Sequence, residues 1–176
     1  MIKKVIRLGE GERMIIRTAE FEDEEEISGL IAQFRVELKR LKGIKSYANI
    51  EQAKEEFREY MEAKFPIFVA EDSNNELLGY LVCRIDGDVV WAESLFVSDT
   101  SRRKGIGSKL YAKAEEIAKK LGENTVYNWI HPNNDKIIPF LLKRGYNVLN
   151  LIEIRKPWEN EIPAQKISIG KYEYNY

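Results

Sequence analysis

The spacing of apolar positions switches between two periods along this chain, and each switch marks an element. Residues 14–18 are rich in β-branched side chains, as a strand favours. An acidic stretch over residues 20–26 then precedes Ile27, Leu30, Ile31, Phe34, Leu38 and Leu41, which fall at helical spacing. Acidic side chains favour the first turn of a helix, and Gly43 ends this one. Asn49 followed by Gln52 predicts a cap for a second helix that carries Ala53, Phe57, Tyr60 and Met61. Pro66 breaks the chain. Residues 67–72 and 77–85 read as a hairpin around Ser73-Asn74-Asn75, and the tight turn Asp86-Gly87-Asp88 leads into a strand over residues 89–97.

The strongest helical stripe follows, with Ile106, Leu110, Ala114, Ile117 and Leu121 backed by lysines and glutamates. Gly122 caps it. The pattern then predicts a strand over 125–130, a short helix over 133–144 ended by Gly145, and strands over 148–155 and 166–174, separated by Pro157 and Pro163. Residues 2–8 read as an extra strand closed by Gly9 and Gly11. The order β-αα-βββ-α-β-α-ββ describes an α/β fold in which helices cover both faces of a central mixed sheet. The 176 residues suit one domain with one core.

Composition narrows the function. A net charge of −1 gives no global field to recruit nucleic acid or a membrane surface, so neither partner is expected. No apolar run approaches the roughly 18 residues that would span a bilayer, and the N-terminal residues lack the apolar core of a secretory signal. Cys83 is the sole cysteine, so no internal disulfide forms, and a reducing cytoplasm fits best. No metal is expected.

The most informative stretch is Leu95 to Leu110, LFVSDTSRRKGIGSKL. A strand ends, a polar turn follows, and a helix opens on two glycines. A helix N-terminus has unpaired N–H groups and a partial positive charge. Gly105 and Gly107 leave room for a pyrophosphate to reach that backbone, and Arg102, Arg103 and Lys104 add positive charge. There is no third glycine at dinucleotide-fold spacing and no Gly-Lys-Ser/Thr of a P-loop.

Arg102-Arg103-Lys104-Gly105-Ile106-Gly107 resembles the signature Arg/Gln-x-x-Gly-x-Gly/Ala of the Gcn5-related N-acetyltransferases, the GNAT family. Residues 134–146, NDKIIPFLLKRGY, are similar to that family's second motif, an asparagine-led helix closing in Gly-Phe or Gly-Tyr. The resemblance covers about residues 14–155. It implies an acetyl-CoA-dependent N-acetyltransferase that moves an acetyl group directly to a primary amine, on a small molecule or on a peptide or protein, with acetyl-CoA as co-substrate. It implies that Leu95, Phe96 and Val97 present strand backbone to the pantetheine arm. Arg103, Lys104, Gly105, Ile106, Gly107 and Ser108 would supply amides to the pyrophosphate, Arg102 would add its charge, and Asn134 would contact the cofactor. Asn134 reads equally well as an ordinary helix cap.

Acetyl transfer to an amine is helped by a base. Glu93 stands inside the apolar strand VVWAESLFV beside the cofactor segment, where partial burial would suit a carboxylate to accept a proton. The family often places a glutamate near this point of the strand. His131, the sole histidine, is the second candidate, although a loop histidine beside Pro132 reads more simply as structural. Cys83 lies in a hairpin strand and reads as core rather than nucleophile. Many relatives carry a tyrosine seven residues after the motif asparagine, as acid for the leaving thiolate. Here that position is Leu141, which leaves open a second reading, a GNAT-shaped acetyl-CoA sensor without turnover. The tyrosine-rich tail KISIGKYEYNY alternates and is suited to pair between subunits of a homodimer.

Overall fold

The structure is a computed structural model that describes residues 5–7, 13–163 and 165–175. Its elements are β1 (Val5–Arg7), β2 (Arg13–Thr18), α1 (Glu24–Leu41), α2 (Ile50–Glu62), β3 (Ile67–Asp72), β4 (Leu77–Asp86), β5 (Val89–Val97), α3 (Ile106–Lys120), α4 (Ile137–Lys143), β6 (Lys166–Ile169) and β7 (Tyr172–Asn175). The chain divides into two compact units, Met1–Ile138 and Pro139–Tyr176. No helix among the described residues is long and apolar enough to cross a membrane.

In the first unit five antiparallel strands lie in the order β1-β2-β3-β4-β5. Of the extra strand expected over residues 2–8, Val5–Arg7 pairs with β2, and the other residues lie outside those described. Register places Ile16 opposite Ala70, Val69 opposite Tyr80, and Leu81 opposite Leu95. Because side chains alternate, Val69, Tyr80, Val82 and Phe96 share one face. There they form a core with Ile27 and Ile31 of α1 and with Phe57 and Tyr60 of α2. Leu81 and Cys83 alternate with Tyr80 and Val82 and are equally buried. They face the other side, where α3 packs on β3, β4 and β5 with Ile106, Leu110, Tyr111 and Ala114 inward.

Local chemistry sets the helix starts. The Asn49 side chain accepts the Gln52 N–H over 3.1 Å, as its spacing predicts, and begins α2. Arg17 grips both carboxylate oxygens of Asp23 at 2.7 Å and also pairs with Glu71, which ties β2 and β3 to the start of α1.

Four expectations need correction. Residues 125–130 do not form a strand: Tyr127 alone bridges to Trp91, in parallel, with Tyr127 N–H to Val90 O at 2.8 Å and Ala92 N–H to Tyr127 O at 2.9 Å. The Asn128 amide donates to Val126 O over 3.0 Å, so a side chain takes a carbonyl that a ladder would use. The helix expected from residue 133 begins at Ile137, because Asn134 closes a turn ahead of it. Residues 148–155 are not a strand either, since no partner edge meets them among the described residues. Arg155 instead closes a local turn, paired with Glu161 and stacked on Trp158. The single strand expected over 166–174 is a hairpin, β6 against β7, which turns at Gly170 with φ +60°.

Candidate functional site

The turn after β5 is built to expose backbone amides. A short helical turn, Asp99–Ser101, follows Ser98, and the chain then passes through positive φ at Arg103 (+66°) and Gly105 (+80°). The first hydrogen bond of α3 runs from Lys109 N–H to Gly105 O at 3.2 Å. The amides of Ile106, Gly107 and Ser108 therefore lie ahead of any intrahelical acceptor, at the positive end of a 15-residue helix. Ile106 is buried and anchors that end.

The two glycines have different reasons. A Cβ at Gly105 would meet nothing within 4 Å, so its demand is conformational. At Gly107 φ is ordinary, and a Cβ would stand 3.7 Å from Val97 Cγ2, a normal contact. The fold does not require glycine at 107.

Arg102 behaves unlike its neighbours. Arg103 and Lys104 are exposed, whereas Arg102 is turned inward. Its Nε donates to Val97 O at 2.8 Å, its Nη2 meets Glu37 at 2.9 Å, its Nη1 pairs with Asp99, and its guanidinium lies 5.2 Å above the Phe96 ring. Its charge is spent within the protein, so it positions the turn.

The strand before the turn is shaped by a glycine and a bulge. A Cβ at Gly79 would come within 2.6 Å of Phe96 O, so only glycine lets β4 lie this close to β5. Ser94 opposes Val82 and Ala92 opposes Cys83, which leaves Glu93 as the extra residue of a bulge. Phe96 is buried, while Leu95 and Val97 alternate with it and are half-buried. On its other edge β5 is joined only through the Trp91–Tyr127 bridge among the described residues. Past that bridge, the backbone of Leu95 to Val97 follows an edge that no second strand among the described residues covers, with Val97 O held by Arg102.

The bulge re-aims Glu93. Its carboxylate accepts from Arg84 Nε at 3.2 Å, and both side chains are 26% exposed. The Arg84 guanidinium lies 5.2 Å from the Trp91 ring and 5.3 Å from the Trp129 ring. Trp91 in turn packs at 5.1 Å from Tyr127 and 4.9 Å from Trp129. Glu93 also acts on the α2 side of the sheet. The Tyr60 phenol is pushed up mainly by burial, then by its hydrogen bond to Glu56, with the Glu93 charge adding a smaller push.

The remaining candidates lie apart from that pair. His131 Nδ1 accepts the Asn133 N–H at 3.2 Å, and burial, with Lys42 adding to it, moves its pKa down. Asn134 Oδ1 accepts the Ile137 N–H at 3.2 Å, the geometry of a cap. A cavity of about 250 Å³ lies between the C-terminal half of α1 and residues 133–136, with Phe34, Glu37, Asn134 and Lys136 on its wall. Glu37 Oε1 meets both Arg102 and Lys136, at 2.9 and 3.2 Å, and so links the glycine turn to the loop of Asn134. Cys83 is buried, and desolvation pushes its thiol up to about 12, which makes it core. Leu141 is buried and offers no hydroxyl. Sequence reasoning missed Arg84 and Glu37. Arg84 was readable as a cross-strand neighbour of residue 91, but Glu37 is one charge among many on a helix surface.

The sequence matches the acetyltransferase (GNAT) family over residues 30–146, more than half of its length. The chain belongs to this family. No curated protein sequence matches it at a significant level. Solved structures similar to this GNAT chain include PaiA N-acetyltransferase from Thermoplasma acidophilum in complex with coenzyme A, at 22% identity and TM-score 0.63, covering 74% of this chain and 87% of that one. The aminoglycoside N-acetyltransferase AAC(6')-Iy in complex with CoA is 19% identical, with TM-score 0.63 and coverage of 85% and 99%. Glucosamine-6-phosphate N-acetyltransferase from Arabidopsis thaliana is 18% identical, with TM-score 0.59 and coverage of 83% and 99%. At these identities the likeness establishes a shared fold.

Proposed function

We propose that this GNAT protein transfers an acetyl group from acetyl-CoA to a primary amine by direct transfer, with Glu93 as general base. The observation that carries the reading is the open backbone turn at Gly105–Gly107, set at the end of the β5 edge whose bulge bears Glu93. The space at Gly107 and the amides of Ile106, Gly107 and Ser108 suit a pyrophosphate. Arg103 and Lys104 add positive charge at the surface of the same turn. Leu95, Phe96 and Val97 offer strand backbone to the pantetheine arm, and Asn134 has its amide nitrogen left for the cofactor while its oxygen caps the following turn. Arg102 holds the turn against Val97.

When bound, acetyl-CoA supplies a thioester carbonyl carbon open to attack. The acceptor amine must be neutral to attack it, and Glu93 takes the proton that the nitrogen gives up. The new N–C bond forms as the C–S bond breaks, and the sulfur leaves as thiolate. A thiol's pKa near 8.5 lets it leave without full protonation, so an acid for the sulfur is helpful rather than obligatory. The relatives that act on aminoglycosides and on glucosamine-6-phosphate use amine acceptors, which supports an amine here.

The test is thiol release from acetyl-CoA against a panel of amines. Amine-dependent release supports transfer. Tight acetyl-CoA binding with no release on any amine favours the sensor reading, to which the hydroxyl-free Leu141 lends support.

A further inference from the structure

We infer that the acceptor is a free α-amino acid with a large flat side chain, held through its carboxylate by Arg84 and through its amine by Glu93. This rests on the reading that the face around Glu93 receives the acceptor.

Arg84 and Glu93 stand in contact, Nε to Oε2 at 3.2 Å, on adjacent strands. An α-amino acid carries its ammonium and carboxylate on one carbon, so its two charges also lie in near contact. The two dipoles match when laid antiparallel: carboxylate to guanidinium, amine to carboxylate. A polyamine would bring a second cation onto Arg84 and be repelled. An amine without an acid would leave the guanidinium unused.

Arg84 has donors to give. Among the described residues its Nε makes its only hydrogen bond. Asp86 lies 3.9 Å from Nη1, too far for a hydrogen bond, and is 80% exposed, so a substrate carboxylate can displace it. The guanidinium lies within 5.2 Å of the Trp91 ring and 5.3 Å of the Trp129 ring, and its Nη1 and Nη2 can form a two-point donor for a carboxylate.

The side-chain preference comes from Trp129. This ring is 67% exposed. It is braced by Trp91 and Arg84 and offers open indole surface beside the ion pair. An exposed, braced aromatic next to a charge pair is a stacking surface for a flat side chain. In the transfer, the α-nitrogen gains the acetyl carbon, the thioester C–S bond breaks, and the displaced proton passes to Glu93. The products are the N-acetyl amino acid and the CoA thiol.

The experiment compares L-phenylalanine, L-phenylalaninamide and phenethylamine, by calorimetry with CoA present and absent, and by thiol release from acetyl-CoA. The free acid should bind and turn over about ten- to a hundred-fold better than the other two, the range for one charge-assisted pair. Arg84→Gln should erase that difference, so that the free acid and the amide behave alike within the variant. Arg84→Lys, which keeps the charge without the fork, should restore part of it and serves if Arg84→Gln does not fold. Trp129→Ala should weaken phenylalanine more than alanine. Equal binding of acid and amide, or binding of none of the three, overturns the inference. Thiol release from acetyl-CoA with non-amino-acid amines in the same protein then reports independently whether the acetyl-transfer reading stands.

Discussion

Arg102 donates its Nε hydrogen to the carbonyl of Val97 over 2.8 Å, which fastens the glycine turn to the last residue of β5. The same side chain reaches Glu37 on α1 at 2.9 Å. A residue of the basic run thus joins the strand that would line the acyl arm to the turn that would hold the phosphates.

Arg102→Ala should therefore act through geometry. It removes a part-buried hydrogen bond to a carbonyl and one to a carboxylate, at a cost of about 1–3 kcal/mol in stability. Acetyl-CoA should bind several-fold more weakly, because the turn loses its tie to Val97 and Glu37. Arg102→Lys is the informative comparison. If Arg102 served as a charge for phosphate, lysine would preserve affinity. If it positions the turn by its fork, lysine will lose nearly as much as alanine. Thermal melts and calorimetry on both variants decide.

The two glycines should separate cleanly. Gly107→Trp should leave the fold intact, because a Cβ at 107 makes only an ordinary 3.7 Å contact with Val97, and should abolish acetyl-CoA binding by placing an indole at the helix start. Gly105→Ala should do the reverse in part. Its φ of +80° strains any L side chain, at about 1–3 kcal/mol, while the phosphate space stays open. Unchanged acetyl-CoA affinity in a folded Gly107→Trp protein would remove the turn from the cofactor site.

How much of this was readable in advance depends on the range of the forces involved. The Asn49 cap, the start of the α3 stripe at Ile106, Leu110 and Ala114, and the hairpin of β3 and β4 follow from residues within a few positions of each other, and each is present, whereas Leu121 at the far end of the stripe is exposed. The bulge at Glu93 is different. Nothing in VVWAESLFV announces an extra residue; it arises from how β5 meets β4, a register that local pattern does not contain. The Arg84–Glu93 pair depends on that bulge and was missed with it. The strand expected over 125–130 failed for a related reason. Its alternation is adequate, but Asn128 turns its amide back onto Val126, and a strand exists only where a neighbour completes its bonds.

Cys83 offers a check on the sheet itself. Burial holds its thiol neutral, with the pKa pushed from 9.0 up to about 12. The folded thiol is therefore neutral where the unfolded thiol ionises. Its contribution to stability is complete below pH 9 and is lost as pH climbs from about 9 toward 12. Ellman's reagent at pH 8 should leave the native protein unlabelled and label it stoichiometrically in denaturant. Rapid labelling of the native protein would mean that β4 opens far more readily than its packing implies.

Glu93→Gln tests the chemistry most directly. The substitution keeps the size of the side chain and an oxygen that can still accept from Arg84 Nε, so the fold should hold. It removes the proton acceptor. kcat/KM should fall by about ten- to a thousand-fold near neutral pH, within the span for losing general-base help. Acetyl-CoA affinity should stay within about two-fold, because Glu93 lies in the strand bulge and not in the glycine turn. The pH profile carries the sharper sign. A base matters most where the acceptor amine is protonated, so the deficit should shrink as pH rises past the amine's own pKa. A deficit equal at pH 7 and pH 10 would mean that Glu93 positions the acceptor and does not take its proton. Wild-type turnover at pH 7 would exclude it from both tasks, and His131 would then be the next side chain to replace.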